Sequence, residues 1–174
     1  HPELVREIAK QGHEVGTHGW SHRLVYQLTR DEFRDEIRRS VALLGELSGR
    51  KPIGHRAPFF SITRDSLWAF DVLREEGLRY DSSVYPVVNY RYGIPDAPRW
   101  PHRVHPELVE FPLSTLRWLG KNVPIAGGAY FRIFPYAVTR AAFQSLNRAG
   151  RPAVFYIHPW ELDPYHPRIP LPAR

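Results

Sequence analysis

Apolar residues recur at helical spacing in three segments of the chain's first half. The spacing predicts helices over residues 2–11, 29–49 and 63–77, each of which ends at or just before a glycine. Thr29 and Glu32 form a capping box at the start of the second helix, which has the clearest pattern in the chain. The short extended runs between these helices indicate that helices and strands alternate.

The extended runs predict a set of short strands. They are expected over residues 13–17, 53–56, 79–82, 109–113, 124–126 and 153–157, with a further helix over 138–147. Residues 85–105 show neither period and are rich in Pro, Tyr, Arg and Gly, which predicts a long functional loop. The alternation indicates an α/β fold around a parallel sheet or barrel. No repeat or linker interrupts it, so we expect one domain over residues 1–174 with a Pro-rich tail from about 159 that wraps the surface.

Composition narrows the class of protein. With 174 residues, 43% of them hydrophobic, the chain is long enough for one packed domain, and no apolar run approaches the ~20 residues of a membrane span. Cysteine is absent, so any zinc would have to be held by His and carboxylate ligands. The net charge of +6 comes from basic residues scattered along the chain, which argues against nucleic-acid binding. The chain also lacks Met and opens on His-Pro, so we expect it to be part of a longer protein.

Two of the predicted strands are followed by residues that suit a catalytic site. His18 and His22 lie four positions apart around Gly-Trp-Ser and would share one metal ion if a third ligand came from elsewhere; a surface pair is the alternative. Arg56 ends the next strand just before Pro58, where its guanidinium would meet a buried carboxylate or, alternatively, pair on the surface. A backbone N–H after this turn would suit an oxyanion.

Two further strand ends carry candidate residues. Asp81 lies in a Tyr-Asp-Ser-Ser segment, where an Asx turn or a helix cap is the plainer interpretation. His158 follows the apolar run 153–157 and is flanked by Pro and Trp, surroundings that suit proton donation near neutral pH. A structural histidine is the alternative.

Taken in order, the segments His-Gly-Trp-Ser-His, Arg-Ala-Pro, Tyr-Asp-Ser-Ser and Tyr-Ile-His-Pro-Trp-Glu resemble the polysaccharide deacetylase family, the NodB-homology domain of carbohydrate esterase family four. They are most similar to its subgroup encoded beside exosortase and PEP-CTERM exopolysaccharide genes. The resemblance spans the whole chain and implies a distorted (β/α) barrel of the NodB type. The first strand or strands would be missing, because the family's Thr-Phe-Asp segment would precede His1. Gly19 and Phe59 depart mildly from the family pattern.

The resemblance implies a metal-dependent hydrolase that removes N-acetyl groups from amino-sugar units of a bacterial polysaccharide or oligosaccharide. His18 and His22 would hold Zn²⁺, or another divalent metal such as Co²⁺ or Ni²⁺, together with an Asp of the missing segment. Arg56 would orient a catalytic-base Asp from that segment, and the backbone N–H of Phe59 would help to stabilise the oxyanion. Without the missing Asp residues, we expect the chain by itself to be inactive.

The resemblance also implies roles for residues of the second half. His158 would protonate the departing nitrogen, and Asp81 would raise the pKa of its imidazole, with Glu161 and Asp163 as alternates. The substrate-binding residues would lie in or beside the motif loops, namely Trp20, Pro58, Phe59, Tyr85, Trp100 and Trp160.

Other functions stay open at this point. Relatives of this domain hydrolyse other C–N bonds, including cyclic ureides such as allantoin. A chain without the missing Asp would otherwise be a non-catalytic carbohydrate-binding remnant. The compartment is open between the bacterial cytoplasm and the cell envelope, with the cytoplasm preferred.

Overall fold

The computed structural model describes residues 1–165 and residue 167. Within them, the α-helices are α1 (Pro2–Lys10), α2 (Arg30–Ser48), α3 (Ala69–Glu75), α4 (Gly128–Ile133) and α5 (Tyr136–Arg148). The strands are β1 (Gly54–His55), β2 (Tyr80–Asp81), β3 (His102–His105), β4 (Leu108–Glu110), β5 (Thr115–Trp118) and β6 (Lys121–Pro124). Strands and helices alternate through the first half, which confirms the predicted α/β class.

The main sheet has the strand order β1-β2-β4-β3. Strands β1, β2 and β4 run parallel, and β3 pairs antiparallel with β4. Thr17 forms an isolated parallel bridge to His55 beside β1, within the segment predicted as the first strand. Strands β5 and β6 form a separate antiparallel hairpin. Because the parallel strands point the same way, their carboxyl ends meet at one edge of the sheet.

Helix α2 forms where the capping box predicted it. The Thr29 side chain accepts a hydrogen bond from the Glu32 backbone N–H (3.2 Å), and the Glu32 carboxylate accepts one from the Thr29 N–H (2.7 Å). The helix ends at Gly49, whose φ of 72° lies in the left-handed region that glycine favours. Its inner face packs in the main core, which lies between α2, α3 and the sheet and includes Phe33, Ile37, Ala69, Phe70, Val72, Leu73, Leu78 and Leu108.

The predicted helix over residues 63–77 is interrupted. A short 3-10 turn occupies Arg64–Ser66, and α3 begins only at Ala69. The Ser66 hydroxyl accepts a hydrogen bond from the Thr63 backbone N–H (2.9 Å) and so satisfies the turn locally.

The second half differs more from the prediction. Strand β3 lies inside the predicted loop 85–105, and a hairpin replaces the strand expected over 124–126. The run 153–157, predicted as a buried strand, is extended but outside the strands of the sheet. Val154 connects it to Ser114, whose backbone N–H donates to the Val154 carbonyl (3.2 Å) and whose Oγ accepts from the Val154 N–H (2.7 Å).

The tail predicted from residue 159 begins with a 3-10 turn over Pro159–Glu161. Residues 166 and 168–174, on which the rest of that prediction falls, lie outside the described residues. Among the helices described, none combines the length and apolarity that a membrane crossing requires.

Candidate functional site

A cavity of about 520 Å³ lies at the edge of the sheet where the parallel strands end. We call it the central cavity. It brings together His18, His22, Arg56, Phe59 and His158, which come from both ends of the chain. Its other lining residues include Thr17, His55, Phe60, Tyr80, Ser82, Tyr92, Tyr156 and Ile157.

A larger cavity of about 740 Å³ lies between α1 and the end of α2. It is lined by exposed basic side chains such as Arg6, Lys10 and Lys51, and it contains none of the predicted site residues. The convergence of imidazole, guanidinium and aromatic groups therefore singles out the central cavity for the chemistry.

The two histidines of the first motif lie side by side in the central cavity. Their ring centroids are 5.1 Å apart, and the His22 ring meets the Phe59 ring edge-on at the same distance. The Nδ1 of His18 lies 2.6 Å from the Arg56 carbonyl oxygen, which only accepts hydrogen bonds, so the proton is on Nδ1 and the Nε2 lone pair is left for another ligand. Burial lowers the pKa of His18, against the raising effect of this hydrogen bond, and so favours the neutral imidazole that binds metals.

The loop between the two histidines is anchored on α2. The Glu36 carboxylate accepts hydrogen bonds from the backbone N–H groups of Trp20 and Ser21, both at 2.9 Å, and from the Ser21 hydroxyl. Burial alone would raise the pKa of Glu36, but these hydrogen bonds hold it below its usual value. Gly19 has a φ of 79°, which allows the turn that this anchoring requires.

The two imidazoles fit half of a divalent metal site. Tetrahedral zinc sites in catalysis use three protein ligands and leave one position open. Within the residues that the structure describes, no third His, Asp or Glu converges on the pair. His18 and His22 are therefore suitable ligands, and a third ligand is not part of this arrangement.

Arg56 is held by a serine rather than by the carboxylate that its position suggested. Its Nε donates to the Ser82 carbonyl (2.9 Å), and its terminal nitrogen donates to the Ser82 Oγ (2.7 Å). Burial lowers the pKa of Arg56, although the charges of Asp81 and Glu110 act in the opposite direction. The guanidinium is thus fixed at the wall of the central cavity by the residue that follows strand β2.

The structure corrects the pairing expected for Asp81. Its carboxylate is fully buried and lies 2.5 Å from the Nδ1 of His55, and it also accepts hydrogen bonds from the backbone N–H (2.9 Å) and hydroxyl (2.8 Å) of Ser83. Side chains alternate along a strand, so Tyr80 and Ser82 line the central cavity while Asp81 faces the other side of the sheet. Asp81 is therefore directed towards His55 instead of His158.

Glu161 is the carboxylate beside His158. Its Oε2 accepts a hydrogen bond from the His158 backbone N–H (2.8 Å) and lies 3.2 Å from the His158 Nδ1. Burial would raise the pKa of Glu161, but the hydrogen bonds from His158 and Arg132 hold it below its usual value. The His158 ring also stacks on Trp160, with centroids 5.5 Å apart.

The place of Glu161 depends on a glycine in α4. Arg132, in the same helix, forms an ion pair with Glu161, and a Cβ added at Gly128 would overlap the Glu161 carboxylate. The absence of a side chain at position 128 therefore makes room for the carboxylate that supports His158.

Asp81 belongs to a row of buried polar residues across the sheet. His55 pairs in register with Asp81, and Asp81 pairs in register with Glu110, so the three side chains share one face. We call these three residues the buried row. The Glu110 Oε1 accepts from the backbone N–H groups of Ser83 (3.1 Å) and Val84 (2.8 Å). Burial, together with the nearby charge of Asp81, raises the pKa of Glu110 well above its usual value. Burial would also raise the pKa of Asp81, but the hydrogen bond with His55 holds it below the usual value of an aspartate.

Of the predicted substrate-binding residues, Phe59 lines the central cavity and Trp160 stacks on His158 beside it. Tyr85 is buried, and its hydroxyl donates to the Ala126 carbonyl (2.9 Å), so it belongs to the core. Trp100 packs against the core cluster under α5. Trp20 and Pro58 are not among the described residues that line the central cavity. The Arg39 guanidinium instead lies over the Trp20 indole, with the guanidinium carbon 4.4 Å from the centroid of the indole ring.

Sequence reasoning missed four aromatic residues of the central cavity, Phe60, Tyr80, Tyr92 and Tyr156. Tyr156 lies two positions before His158, and alternate residues of an extended segment share a face. That spacing was a signal for Tyr156. Tyr92 lies in the predicted loop 85–105, whose composition singles out none of its tyrosines.

Comparisons with known families divide the chain into two matched segments. Residues 1–80 match the polysaccharide deacetylase family, and residues 82–174 match the family described as a domain of unknown function, DUF3473. Strands β1 and β2 lie in the first segment or at its end, and β4 lies in the second. One sheet therefore crosses the boundary between them.

Curated relatives match the first segment. The chain is 33% identical over 82 residues to a peptidoglycan deacetylase of Helicobacter pylori, a match that covers 47% of this chain and 27% of that protein. It is 35% identical over 69 residues to a peptidoglycan-N-acetylglucosamine deacetylase of Bacillus cereus, covering 39% and 25% of the two chains. The matches thus span about a quarter of the length of these relatives.

Solved structures match most of the chain. A Mycobacterium smegmatis protein assigned as a polysaccharide deacetylase superposes with a TM-score of 0.64 at 24% identity, covering 92% of this chain and 54% of that one. PuuE allantoinase superposes with a TM-score of 0.58 at 19% identity, covering 91% and 50%. These likenesses confirm the α/β, barrel-like fold of the NodB-type deacetylases. The chain therefore belongs to the DUF3473 family, whose model matches residues 82–174, and its residues 1–80 are similar to the polysaccharide deacetylase family.

Proposed function

We propose that the central cavity is the active site of a metal-dependent hydrolase that removes N-acetyl groups from amino-sugar units of a bacterial polysaccharide. One observation carries this proposal: the pair His18 and His22, the Arg56 guanidinium and the His158 imidazole all line a single cavity. The names of the curated relatives, which are peptidoglycan deacetylases, support the same class of reaction.

On one side of the cavity, His18 and His22 would hold a divalent cation such as Zn²⁺. When bound, such a cation polarises a carbonyl oxygen and makes a water molecule more acidic. The chain prepares this side by holding the His18 Nδ1 on the Arg56 carbonyl, which directs the Nε2 lone pair away from that hydrogen bond. As the family resemblance implies, we propose that the third ligand and the general base are carboxylates from a segment preceding residue 1 in a longer protein.

On the other side of the cavity, His158 would act as the general acid. Water gives a proton to the general base as its oxygen bonds to the acetyl carbon. The C–N bond then breaks, and the nitrogen takes a proton from the His158 imidazolium, which yields acetate and a free amine. An amide nitrogen is a poor leaving group without that proton. Glu161 is the positioning residue, because its carboxylate holds the backbone N–H of His158 and lies beside the Nδ1 of its ring.

The test is a comparison of two reactions on the full-length protein with added zinc. We expect acetate release from N-acetylglucosamine oligomers and no ring opening of allantoin. His18→Ala and His22→Ala should each lower zinc content and acetate release together. His13→Ala is the matched control, because this exposed histidine lies outside the central cavity, and it should leave both unchanged.

Two outcomes would contradict the proposal. Ring opening of allantoin without acetate release would identify a hydrolase of cyclic ureides. Binding of the oligomers with neither zinc uptake nor acetate release would identify a non-catalytic carbohydrate-binding protein.

A further inference from the structure

The walls of the central cavity come from the two matched segments of the chain. Residues 1–80 contribute the imidazole pair and Arg56, whereas residues 82–174 contribute Tyr92, Tyr156 and His158. The DUF3473 half and the first segment therefore line the same cavity. The two tyrosines have no part in the reaction described above.

Tyr92 is held in place by packing. Its ring stacks on the buried Tyr85, with ring centroids 6.0 Å apart and an interplanar angle of 7°, and its hydroxyl lies 3.3 Å from that of Tyr130. The ring also meets Phe60 edge-on at 5.9 Å. A side chain fixed on two sides loses little conformational entropy when a ligand binds to the remaining surface.

Tyr156, which also lines the central cavity, is held in place by packing as Tyr92 is. Its ring meets the Phe60 ring edge-on, with centroids 4.8 Å apart. On another side it lies against Gly127, where an added Cβ would come within 2.9 Å of the Tyr156 hydroxyl oxygen and still closer to its ring. Gly127 also has a φ of 117°, which only glycine adopts readily, so the backbone there is shaped to admit the tyrosine.

Together the two residues form a rigid aromatic wall with polar tips. Such a surface suits a pyranose, which presents an apolar C–H face for stacking and hydroxyl groups around its rim. The cavity volume of about 520 Å³ lies within the range that encloses ligands larger than a simple amide. A small acyl amide would have no ring to stack on this wall.

We infer that Tyr92 and Tyr156 form the sugar-binding wall of the site, so that the DUF3473 half selects a pyranose ring as substrate. This inference rests on the proposed function of the same cavity and names the part of the chain that recognises its substrate. It gives the DUF3473 half a role in specificity that its description leaves open.

The experiment compares Tyr92→Leu and Tyr156→Leu in the full-length protein, because leucine keeps an apolar volume against Phe60 but removes the aromatic face. Isothermal titration with an N-acetylglucosamine tetramer should show binding weakened about tenfold or more in each variant. For deacetylation of the tetramer, KM should rise while kcat changes less than threefold.

Tyr90→Ala is the matched control, because this tyrosine lies in the same loop as Tyr92 but is 95% exposed and outside the cavity lining. It should bind the tetramer as the parent protein does. If a leucine variant does not fold, saturation-transfer NMR on the unaltered protein replaces it, and we expect the strongest transfer to the C–H protons of one pyranose face.

The outcomes separate this inference from the proposed function. Acetate release with leucine variants that bind the tetramer within twofold of the parent would overturn the sugar-binding wall alone. Even transfer to all sugar protons in the NMR measurement would do the same. Tetramer binding that depends on both tyrosines, without acetate release, would support the wall and contradict the deacetylase.

Discussion

Two histidine–carboxylate pairs in this protein have the same chemistry and opposite surroundings. In the pair of His55 and Asp81, the His55 Nδ1 lies 2.5 Å from an Asp81 carboxylate oxygen, and neither side chain is exposed. In the pair of His158 and Glu161, the His158 Nδ1 lies 3.2 Å from a Glu161 carboxylate oxygen. The His158 side chain is 54% exposed, whereas the Glu161 side chain is 4% exposed. Only the second pair presents its imidazole to solvent.

The difference shows that burial decides whether a histidine–carboxylate pair contributes mainly to stability or mainly to catalysis. Removing one partner of a buried hydrogen-bonded pair leaves an unsatisfied polar group inside the protein, so the first pair matters chiefly for folding. A pair with an exposed imidazole contributes little to stability, but its imidazole is accessible to a substrate. We therefore expect substitutions in the first pair to change unfolding and substitutions in the second to change turnover.

The largest effect is expected for His158→Ala. In the full-length enzyme, this change should lower kcat for acetate release by about 10³-fold, because general acid catalysis typically contributes about 10²- to 10⁴-fold. Zinc content, measured by metal analysis, should stay at the parent level, since the proposed ligands are His18 and His22. Loss of zinc in this variant would instead make His158 a metal ligand.

The next effect is expected for Asp81→Asn. This change should lower the free energy of unfolding by about 3 kcal/mol, because it breaks the buried pair with His55 and disturbs the hydrogen bonds to Ser83. Urea denaturation measures the change. Glu161→Gln is the matched substitution in the pair of His158 and Glu161. It should cost less stability than Asp81→Asn, because its partners His158 and Arg132 are about half exposed and stay solvated, while it lowers kcat. Equal losses of stability in the two variants would contradict the distinction between the pairs.

The smallest effect concerns Glu110, the third member of the buried row. Its pKa is raised in the folded state by burial and by Asp81, so the unfolded chain releases this proton first as the pH rises. This group's contribution to stability is therefore complete below the unfolded pKa and is lost as the pH increases towards the folded pKa. Glu110→Gln cannot titrate, so it should gain about 1 kcal/mol over the parent between pH 4 and neutrality.

The measurement for Glu110→Gln is a series of urea denaturations across that pH range. Asp81 acts in the opposite sense, because its pKa is lowered and its contribution is lost as the pH falls. A difference between variant and parent that stays constant with pH would show that Glu110 does not hold its proton in the folded state.

Local signals predicted the first half of the fold well. The capping box of Thr29 and Glu32 and the left-handed Gly49 set the ends of α2 through contacts within a few residues. The sequence did not reveal the hairpin β5–β6, whose turn places Leu119 and Gly120 at φ values of 46° and 75°. Such turns are usually recognised by an Asn-Gly or Asp-Gly pair, and here a leucine takes the first of the two positions.

The wrong strand over residues 153–157 has a different cause. An apolar run records a tendency to be extended and buried, but a strand also needs a neighbour in register. Val154 instead exchanges hydrogen bonds with the single residue Ser114. This is a tertiary contact that no local pattern encodes.

For the candidate site, the sequence indicated the polar residues better than the apolar ones. Motif spacing brought His18, His22, Arg56 and His158 to attention, and the structure places all four at the central cavity. Tyr85 was expected to bind substrate, but its ring belongs to the core. Whether an aromatic ring lines a cavity or fills a core depends on packing between distant segments, which composition does not record.

The missing side chain at position 128 has a consequence for the wider family. A methyl group there would occupy the space of the Glu161 carboxylate and push it away from its histidine, although Gly128 touches neither the substrate space nor the paired imidazoles. Relatives that carry a larger residue at this point of the helix are thus expected to have lost the carboxylate that positions the histidine while keeping the motif residues themselves. One position outside the motifs would then distinguish active relatives from inactive ones.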